Sequence, residues 1–472
     1  MKIVLTIYCL LACVCFAAER PNVLFLFADD YSYEAVRSMG MTDIDTPNLD
    51  KLAARGTTFT HAYNMGSWSG AVCVASRTML ITGRSVWSAN AVYKTTDNER
   101  KSGMLWPQLM KQAGYRTYMT GKWHIQTDAD QCFDVTRDVR AGMPKTVPSS
   151  YNRPLAGQTD AWSPFDPSLG GYWEGGKHWS EVVANDTNDF LKDAAGKKKP
   201  FFIYAAFNAP HDPRQAPKEF LDRYPTSRLE VPKNFLPQYP HANEIGCAHK
   251  LRDENLAPMP RTEHSVKVHR SEYYALITHL DQQIGRILDA LDQQGLTKNT
   301  WIFFTADHGL AVGHHGLFGK QNMYDHSVRV PFIVSGPGVM KGAKIDSAIY
   351  LQDVMATAVD LAGAKKPPHV YFNTLVPFLN GSQAKSNYDS VYGAYLDLQR
   401  AITHDGWKLI AYPKAKVLRL YDLKSDPSEQ IDLANSPEHS SRKRELLTRL
   451  VRQSADLGDS VNLESVFGHP ES

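Results

Sequence analysis

Cysteine is scarce in this chain, and half of it lies where it cannot staple a fold. Six cysteines occur in 472 residues; Cys9, Cys13 and Cys15 crowd into the apolar start, leaving Cys73, Cys132 and Cys247 for the body. So small and odd a number excludes a disulfide-built scaffold. Net charge is nearly absent too, with 52 basic against 50 acidic residues and a formal +2. That balance lacks the field on which a nucleic-acid or anionic-membrane partner would draw, so no nucleic acid is expected. Repeats and low-complexity blocks are missing, which excludes solenoids. What is present is ordinary for a soluble enzyme, 43% hydrophobic and 22% charged residues, with enough chain for one large domain and a smaller one.

Residues 1–18 read as an export signal: Lys2 supplies the positive charge, Ile3 to Leu11 the apolar stretch, and Ala17-Ala18 the small-residue cleavage region. The stretch is too short to span a bilayer, so no stable membrane anchor is expected. Lipidation at Cys13, after Leu10-Leu11-Ala12, is the less favoured alternative. The mature protein is expected to be exported, periplasmic or secreted.

Asn22 to Ala28 is continuously apolar, as in a strand buried on both faces, and similar runs recur at Tyr115 to Thr120, Pro200 to Phe207, Thr300 to Thr305 and Pro331 to Ser335. Between them lie helical patterns. Thr46-Pro47 opens one that Gly56 closes. A longer one from about Ser271 carries Tyr273, Leu276, Ile277, Leu280, Ile284 and Leu291 on one face and ends at Gly295. Alternating buried strands and helices predict an α/β fold with a large, mostly parallel central sheet flanked by helices. From about residue 366 the pattern changes: Arg400 to Tyr412 and Val417 to Leu423 read as antiparallel strands, and Glu438 to Ser454 as a polar helix. The division expected is a catalytic α/β domain over 19–365 and a small α+β subdomain over 366–472.

Polar residues follow the strands each time. The first ends at Asp29-Asp30, the second at Gly121-Lys122-Trp123-His124, the third leads to Asn208-Ala-Pro-His211, and the fourth to Asp307-His308-Gly309. In open α/β sheets ligands bind at that edge, so these segments are expected to converge on one site. Three carboxylates there are costly unless a cation neutralises them, and their oxygens suit Ca²⁺ or Mg²⁺. Taken singly, an Asp after a strand is equally an ordinary turn or helix-cap residue.

Cys73-Val-Ala-Ser-Arg77, followed by Thr82-Gly-Arg84, resembles the activation signature of the type I sulfatases of the alkaline phosphatase superfamily. There the cysteine of a Cys-x-Pro/Ala-x-Arg segment becomes formylglycine. Gly121-Lys-Trp-His124, the glycine-rich Gly313 to Gly319 before Lys320, and Leu420-Tyr-Asp-Leu423 with Asp426-Pro427 and Glu429 resemble other segments of the same family. The resemblance implies an alkaline-phosphatase-like sandwich and hydrolysis of a sulfate ester, on a sulfated carbohydrate or polysaccharide. It implies Cys73, as formylglycine, for the nucleophile, made by a formylglycine-generating or anaerobic sulfatase-maturing enzyme. Arg77 would hold it, Lys122 would meet the sulfate oxygens, and His124 would act as base. His211 and Lys320 would bind sulfate and help protonate the leaving oxygen. Asp29, Asp30, Asp307, His308 and the modified Cys73 would hold the metal, calcium before magnesium; many members place Asn where this chain has His308.

The rival activities are a phosphonate monoester hydrolase or phosphodiesterase of the same superfamily and a non-catalytic sulfated-glycan binder. His314 and His315 are expected to support the site without acting in catalysis. Trp162, Trp173 and Trp179 either stack on sugar rings or pack a long loop. Residues 125–187 and 212–270 are the expected specificity regions. With Cys73 modified, Cys132 and Cys247 are left either bridged or as two separate buried thiols.

Overall fold

The computed structural model describes residues 20–40 and 43–468. The export signal expected over 1–18 lies outside the described residues. Strands β1 (Asn22–Ala28), β2 (Thr57–Tyr63), β3 (Gly66–Ser67), β4 (Arg116–Lys122), β5 (Val135–Arg140) and the hairpin β6 (Trp173–Glu174) and β7 (Lys177–His178) occupy the first half. They are followed by β8 (Phe201–Ala206), β9 (Thr300–Ala306), β10 (Arg329–Ser335), β11 (Ala343–Ile345) and β12 (Ile349–Tyr350). Last come β13 (Val391–Tyr395), β14 (Gln399–His404), β15 (Trp407–Tyr412) and β16 (Val417–Asp422).

A nine-stranded sheet in the order β11-β2-β10-β9-β1-β8-β4-β5, with β12 also on β2, forms the centre. All seven residues of β1 are buried, and it pairs in parallel with β8 on one side and β9 on the other. That two-sided burial is why it reads as an unbroken apolar run. β10 alone runs antiparallel to both its neighbours, β9 and β2, so the expected mostly parallel sheet is the one found. The expected strands are β1, β4, β8, β9 and β10, their ends moved by a residue or two.

The long helix spans Glu263–Gln293 and starts earlier than expected. Its first turns carry polar and basic residues, which hid them from a reading by apolar periodicity. The start is set by a reciprocal cap: Ser265 N–H donates to Thr262 Oγ1 at 3.1 Å and Thr262 N–H to Ser265 Oγ at 3.3 Å.

A second sheet, β16-β15-β14-β13-β3, is antiparallel through the C-terminal strands, and the Ser440–Asp456 helix packs on it. Its last strand is not C-terminal. β3 pairs in parallel with β13, Gly66 opposite Ala394, and a Cβ on Gly66 would lie 1.9 Å from the Ala394 carbonyl oxygen. Two residues of strand therefore tie the segment just ahead of Cys73 to the C-terminal region.

Candidate active site

Four neighbouring strands, β9-β1-β8-β4, end side by side, and each delivers polar side chains at its C-terminal end. Asp29 and Asp30 follow β1, Asp307 and His308 follow β9, His211 lies beyond β8, and Lys122 ends β4. Cross-links between the loops hold them in register: Asp307 N–H donates to Ala28 O at 3.2 Å, Tyr31 N–H to His308 O at 2.9 Å, and Asp29 N–H to Ala209 O at 3.1 Å. The register between β4 and β5 shifts at Thr120 and Gly121, where Asp138 is the extra residue on β5. Gly121 has φ +87°, and a Cβ there would strike the Ala206 carbonyl oxygen at 1.8 Å. Lys122, the next residue, pairs with Asp29 at the end of β1.

Cys73 is the second residue of the Val72–Thr82 helix, every residue of which is buried. Its Sγ lies 3.4 Å from Nδ1 of His124. One turn on, Arg77 donates from Nε to Asp307 Oδ2 at 3.0 Å and from Nη1 to the Lys122 carbonyl at 2.9 Å, and its guanidinium sits 4.6 Å over the Phe27 ring. Ser76 Oγ and Asn64 Nδ2 both donate to the Asp307 carbonyl oxygen, at 2.7 and 2.9 Å. The helix therefore fixes the Asp307 loop from two directions.

Lysines meet the remaining carboxylates. Lys122 Nζ pairs with Asp29, and Lys320 Nζ donates to Asp30 Oδ1 at 2.9 Å and to His211 Nε2 at 3.1 Å. Burial works against the charge on Lys320, but Asp30, Asp253 and the other anionic groups of the site together outweigh it and hold the ammonium well above its usual range. Burial, then Lys320, push His211 well below its ordinary value. Nδ1 of His211 lies 2.7 Å from the Asp212 carbonyl, so the neutral ring carries its proton there and accepts at Nε2. Burial, then Lys122 and Arg77, lower His124 to about 3. Burial raises Asp30 despite Lys320, with Asp29 and Asp307 adding to the rise. Burial would raise Asp307 as well, but His308 when its ring is protonated, then Arg77 and Lys122, hold it far below the usual carboxylate range.

The donor set fits a cation. Ligand atoms of Asp29, Cys73, Asp307 and His308 all lie within 4.8 Å of one another, and so do those of Asp29, Asp30 and His211. His308 donates from Nδ1 to the Gly309 carbonyl at 2.9 Å, which leaves a lone pair on Nε2. That atom faces Asp30 Oδ1 at 3.1 Å and Asp307 Oδ1 at 3.5 Å and has no hydrogen bond, and neither has the buried Oδ1 of Asp29. Acceptors turned towards one another in a buried cleft repel unless a positive ion lies between them.

All ten expected site residues thus lie together, though two arrive by a different route. Lys122 and His124 come from different conformations: β4 stops at Lys122, and His124 adopts φ +58°, so a left-handed turn swings its ring onto Cys73. His314 and His315 stand away from the pocket: His314 bridges Asn234 and Glu34 at 2.8 and 2.7 Å, and His315 stacks on Tyr324. Trp162 is buried with Arg153 over its ring, and Trp179 carries Arg140 at 4.5 Å, so both pack the loop. Cys132 and Cys247 are separate buried thiols with no bridge between them. Cys132 ends a short helix leading into β5, while Cys247 Sγ lies 3.1 Å from the Gln321 carbonyl oxygen. Burial pushes the Cys132 thiol up to about 12.

Cys73, His124, His211 and Lys320 open into a cavity of about 480 Å³ whose other walls include Gly142, Arg252 and Asp253. All three lie in the expected specificity regions, 125–187 and 212–270, but none was singled out there, because single residues in long irregular loops carry no periodicity or motif. Gly142 is pressed against His124: a Cβ on it would lie 2.4 Å from Cε1 and 2.6 Å from Nε2 of that ring.

The model of the family "Sulfatase" matches residues 21–364, and that of "N-sulphoglucosamine sulphohydrolase, C-terminal" matches 313–456. An arylsulfatase of Clostridium perfringens is 28% identical, over 92% of this chain and 94% of the relative. An N-acetylglucosamine-6-O-sulfatase of Bacteroides thetaiotaomicron is 26% identical, over 92% and 86%. A structure solved in complex with its substrate D-glucosamine-2-N,6-O-disulfate superposes with a TM-score of 0.72 at 22% identity, over 94% of this chain and 99% of that one. With a family model covering most of its length, the chain belongs to the type I sulfatases, the sulfuric ester hydrolases of the alkaline phosphatase superfamily.

Proposed function

We propose that this sulfatase is exported, acts on a sulfated carbohydrate, and uses formylglycine made from Cys73 beside a calcium ion held by Asp29, Asp30, Asp307 and His308. The observation that carries the reading is the position of Cys73, on the floor of the cavity, 3.4 Å from His124 and within the same cluster of ligand atoms as Asp29, Asp307 and His308. A thiol has no evident task among buried carboxylates, whereas an oxygen nucleophile there has both a cation and a base at hand. Relatives named for N-acetylglucosamine 6-O-sulfate and for ulvan support a carbohydrate.

Hydrated formylglycine supplies one hydroxyl for attack on sulfur and a second whose deprotonation restores the aldehyde as sulfate leaves. A calcium ion held by Asp29, Asp30, Asp307 and His308 would supply the Lewis acidity that makes the attacking hydroxyl easier to deprotonate. The side chains do the rest. Arg77 donates from Nε to Asp307 and from Nη1 to the Lys122 carbonyl and so fixes the helix that presents residue 73. Neutral His124 takes the proton of the second hydroxyl. Protonated Lys320, hydrogen-bonded to neutral His211, donates to the ester oxygen as the S–O bond breaks, and both then face the sulfate oxygens. Overall the ester and one water become the alcohol and sulfate.

The test is protein matured in a competent host. The peptide containing Cys73 is expected about 18 Da lighter than its thiol form, the protein is expected to hold calcium, and it is expected to release sulfate from a sugar sulfate. Active enzyme with only a free thiol at position 73 would refute the nucleophile.

A further inference from the structure

We propose that the N-terminal edge of the central sheet carries a second carbohydrate site, a basic groove that holds a sulfated polysaccharide chain while the catalytic cavity works on another part of it. The inference rests on the carbohydrate sulfatase reading above and adds a polymer-binding surface to it.

The groove has a volume of about 380 Å³, and its walls include Arg20, Lys197, Lys198 and Lys199, with Asn22 and Asn299 between them. All four basic side chains are exposed. Three separate stretches of chain meet there: the lead into β1, the turn between the Trp179–Ala195 helix and β8, and the turn into β9. Lys298, the neighbour of Asn299, adds one more exposed cation. The floor of the groove is fixed. Asn22, only 7% exposed, accepts from Phe201 N–H at 3.1 Å and donates to Thr300 Oγ1 at 3.4 Å, so it ties together the starts of β1, β8 and β9. Beside it Tyr115 donates to the Pro21 carbonyl at 2.7 Å, and Arg20 to the Ala113 carbonyl.

The charge of this groove is largely uncompensated. No carboxylate stands among its walls. Asp193 meets Lys197 at 3.4 Å but is shared with Arg116 at 3.1 Å. Among the described residues, Arg20, Lys198, Lys199 and Lys298 have no acidic partner. Lysines elsewhere, such as Lys101, Lys218 and Lys424, each face an aspartate. A formal +2 for the whole chain thus hides one strongly positive groove, and a cleft lined by one sign of charge concentrates ligands of the other. Sulfates spaced along a flexible polymer suit several mobile ammonium groups, which act as point charges without a fixed hydrogen-bond geometry. A membrane surface fits less well. Stable binding there takes apolar insertion as well as charge, and none of the exposed large apolar side chains lies in the groove.

The catalytic cavity lies at the opposite ends of the same strands. β1 spans the gap with seven residues, about 20 Å, so the polymer segment in the groove is not the one losing sulfate. Holding the chain there raises the local concentration of its esters at the cavity without touching the reaction.

The experiment measures binding of the matured protein to dextran sulfate, to uncharged dextran and to phosphatidylglycerol vesicles. Wild type is compared with one variant that combines Lys197→Ser, Lys198→Ser and Lys199→Ser, whose Tm checks that it folds. Wild type is expected to bind dextran sulfate, more weakly as salt rises from about 50 to about 200 mM. The variant is expected to bind it at least about tenfold more weakly, with turnover of a monosaccharide sulfate unchanged. Equal binding by both proteins, or no preference for dextran sulfate over dextran, would overturn the inference. Tighter binding to the vesicles would overturn it too, because the groove would then serve a lipid surface. So would a variant slowed on the monosaccharide sulfate, since the change would then reach the catalytic site. The carbohydrate reading fails separately: it is lost if wild type carrying formylglycine hydrolyses no sugar sulfate, whereas failure to bind dextran sulfate leaves it standing.

Discussion

His308 points the lone pair of Nε2 at Oδ1 of Asp30 across 3.1 Å, with its own proton already given to the Gly309 carbonyl on the other side of the ring. Two acceptors facing each other in a buried cleft are a poor arrangement for the protein alone and a good one for a bound cation. This pairing most directly turns a set of strand-end residues into a candidate metal centre, and it explains how a nitrogen can stand among oxygens there.

Exhaustive chelation is expected to abolish sulfate release and to lower Tm, with both restored by calcium, because an ion bound only by the folded state stabilises it. Asp29→Ala should lose the ion as measured by metal analysis. Full activity in metal-free protein would remove the ligand set from consideration.

The acid limb of activity should lie well below the ordinary histidine range. His124 falls from 6.5 to about 3, so it stays neutral and able to accept a proton from about pH 8 down to pH 5. The base is lost only as pH falls towards 3. His124→Ala should lower kcat by about 10² to 10⁴. A kcat profile with a histidine-like midpoint near 6.5 that disappears in His124→Ala would contradict the assignment.

Gly142→Ala should act on His124 without touching substrate chemistry. The added methyl has to displace the ring or the loop, and Asn208 Nδ2 tethers that loop through the Ala141 carbonyl at 3.2 Å. A shift of about 1 Å in a catalytic base costs about 10²-fold in rate. The loss is expected in kcat with little change in Tm. Wild-type kcat in this variant would show that the close approach is incidental.

Glu254→Ala is expected to destabilise the fold by about 3 to 5 kcal/mol, the usual result of leaving one member of a buried ion pair uncompensated. Arg261 and Glu254 are both fully buried, and two backbone N–H groups of the Lys320 loop lose their acceptor as well. Thermal or denaturant unfolding measures it, and a change under about 1 kcal/mol would mean that water replaces the carboxylate.

Much of the framework was legible in the linear chain because it rests on local pattern. β1 shows its two-sided burial as six apolar residues in a row, Val23 to Ala28, and Asp29-Asp30 after it marks the sheet edge where ligands collect. Cys73 and Arg77, four apart, share a helix face by periodicity alone, and the Arg77–Asp307 contact at 3.0 Å is what that spacing makes available. Other features exist only in three dimensions. The need for glycine at position 121 depends on the Ala206 carbonyl of a neighbouring strand, and the position of β3 in the C-terminal sheet depends on Ala394. Cys132 and Cys247 remain apart because their segments pack against different parts of the molecule, which no count of cysteines reveals. The roles of Gly142, Arg252 and Asp253 come from long loops laid over the ends of four strands. Their meaning is set by what lies across the cavity, and sequence spacing carries no record of that.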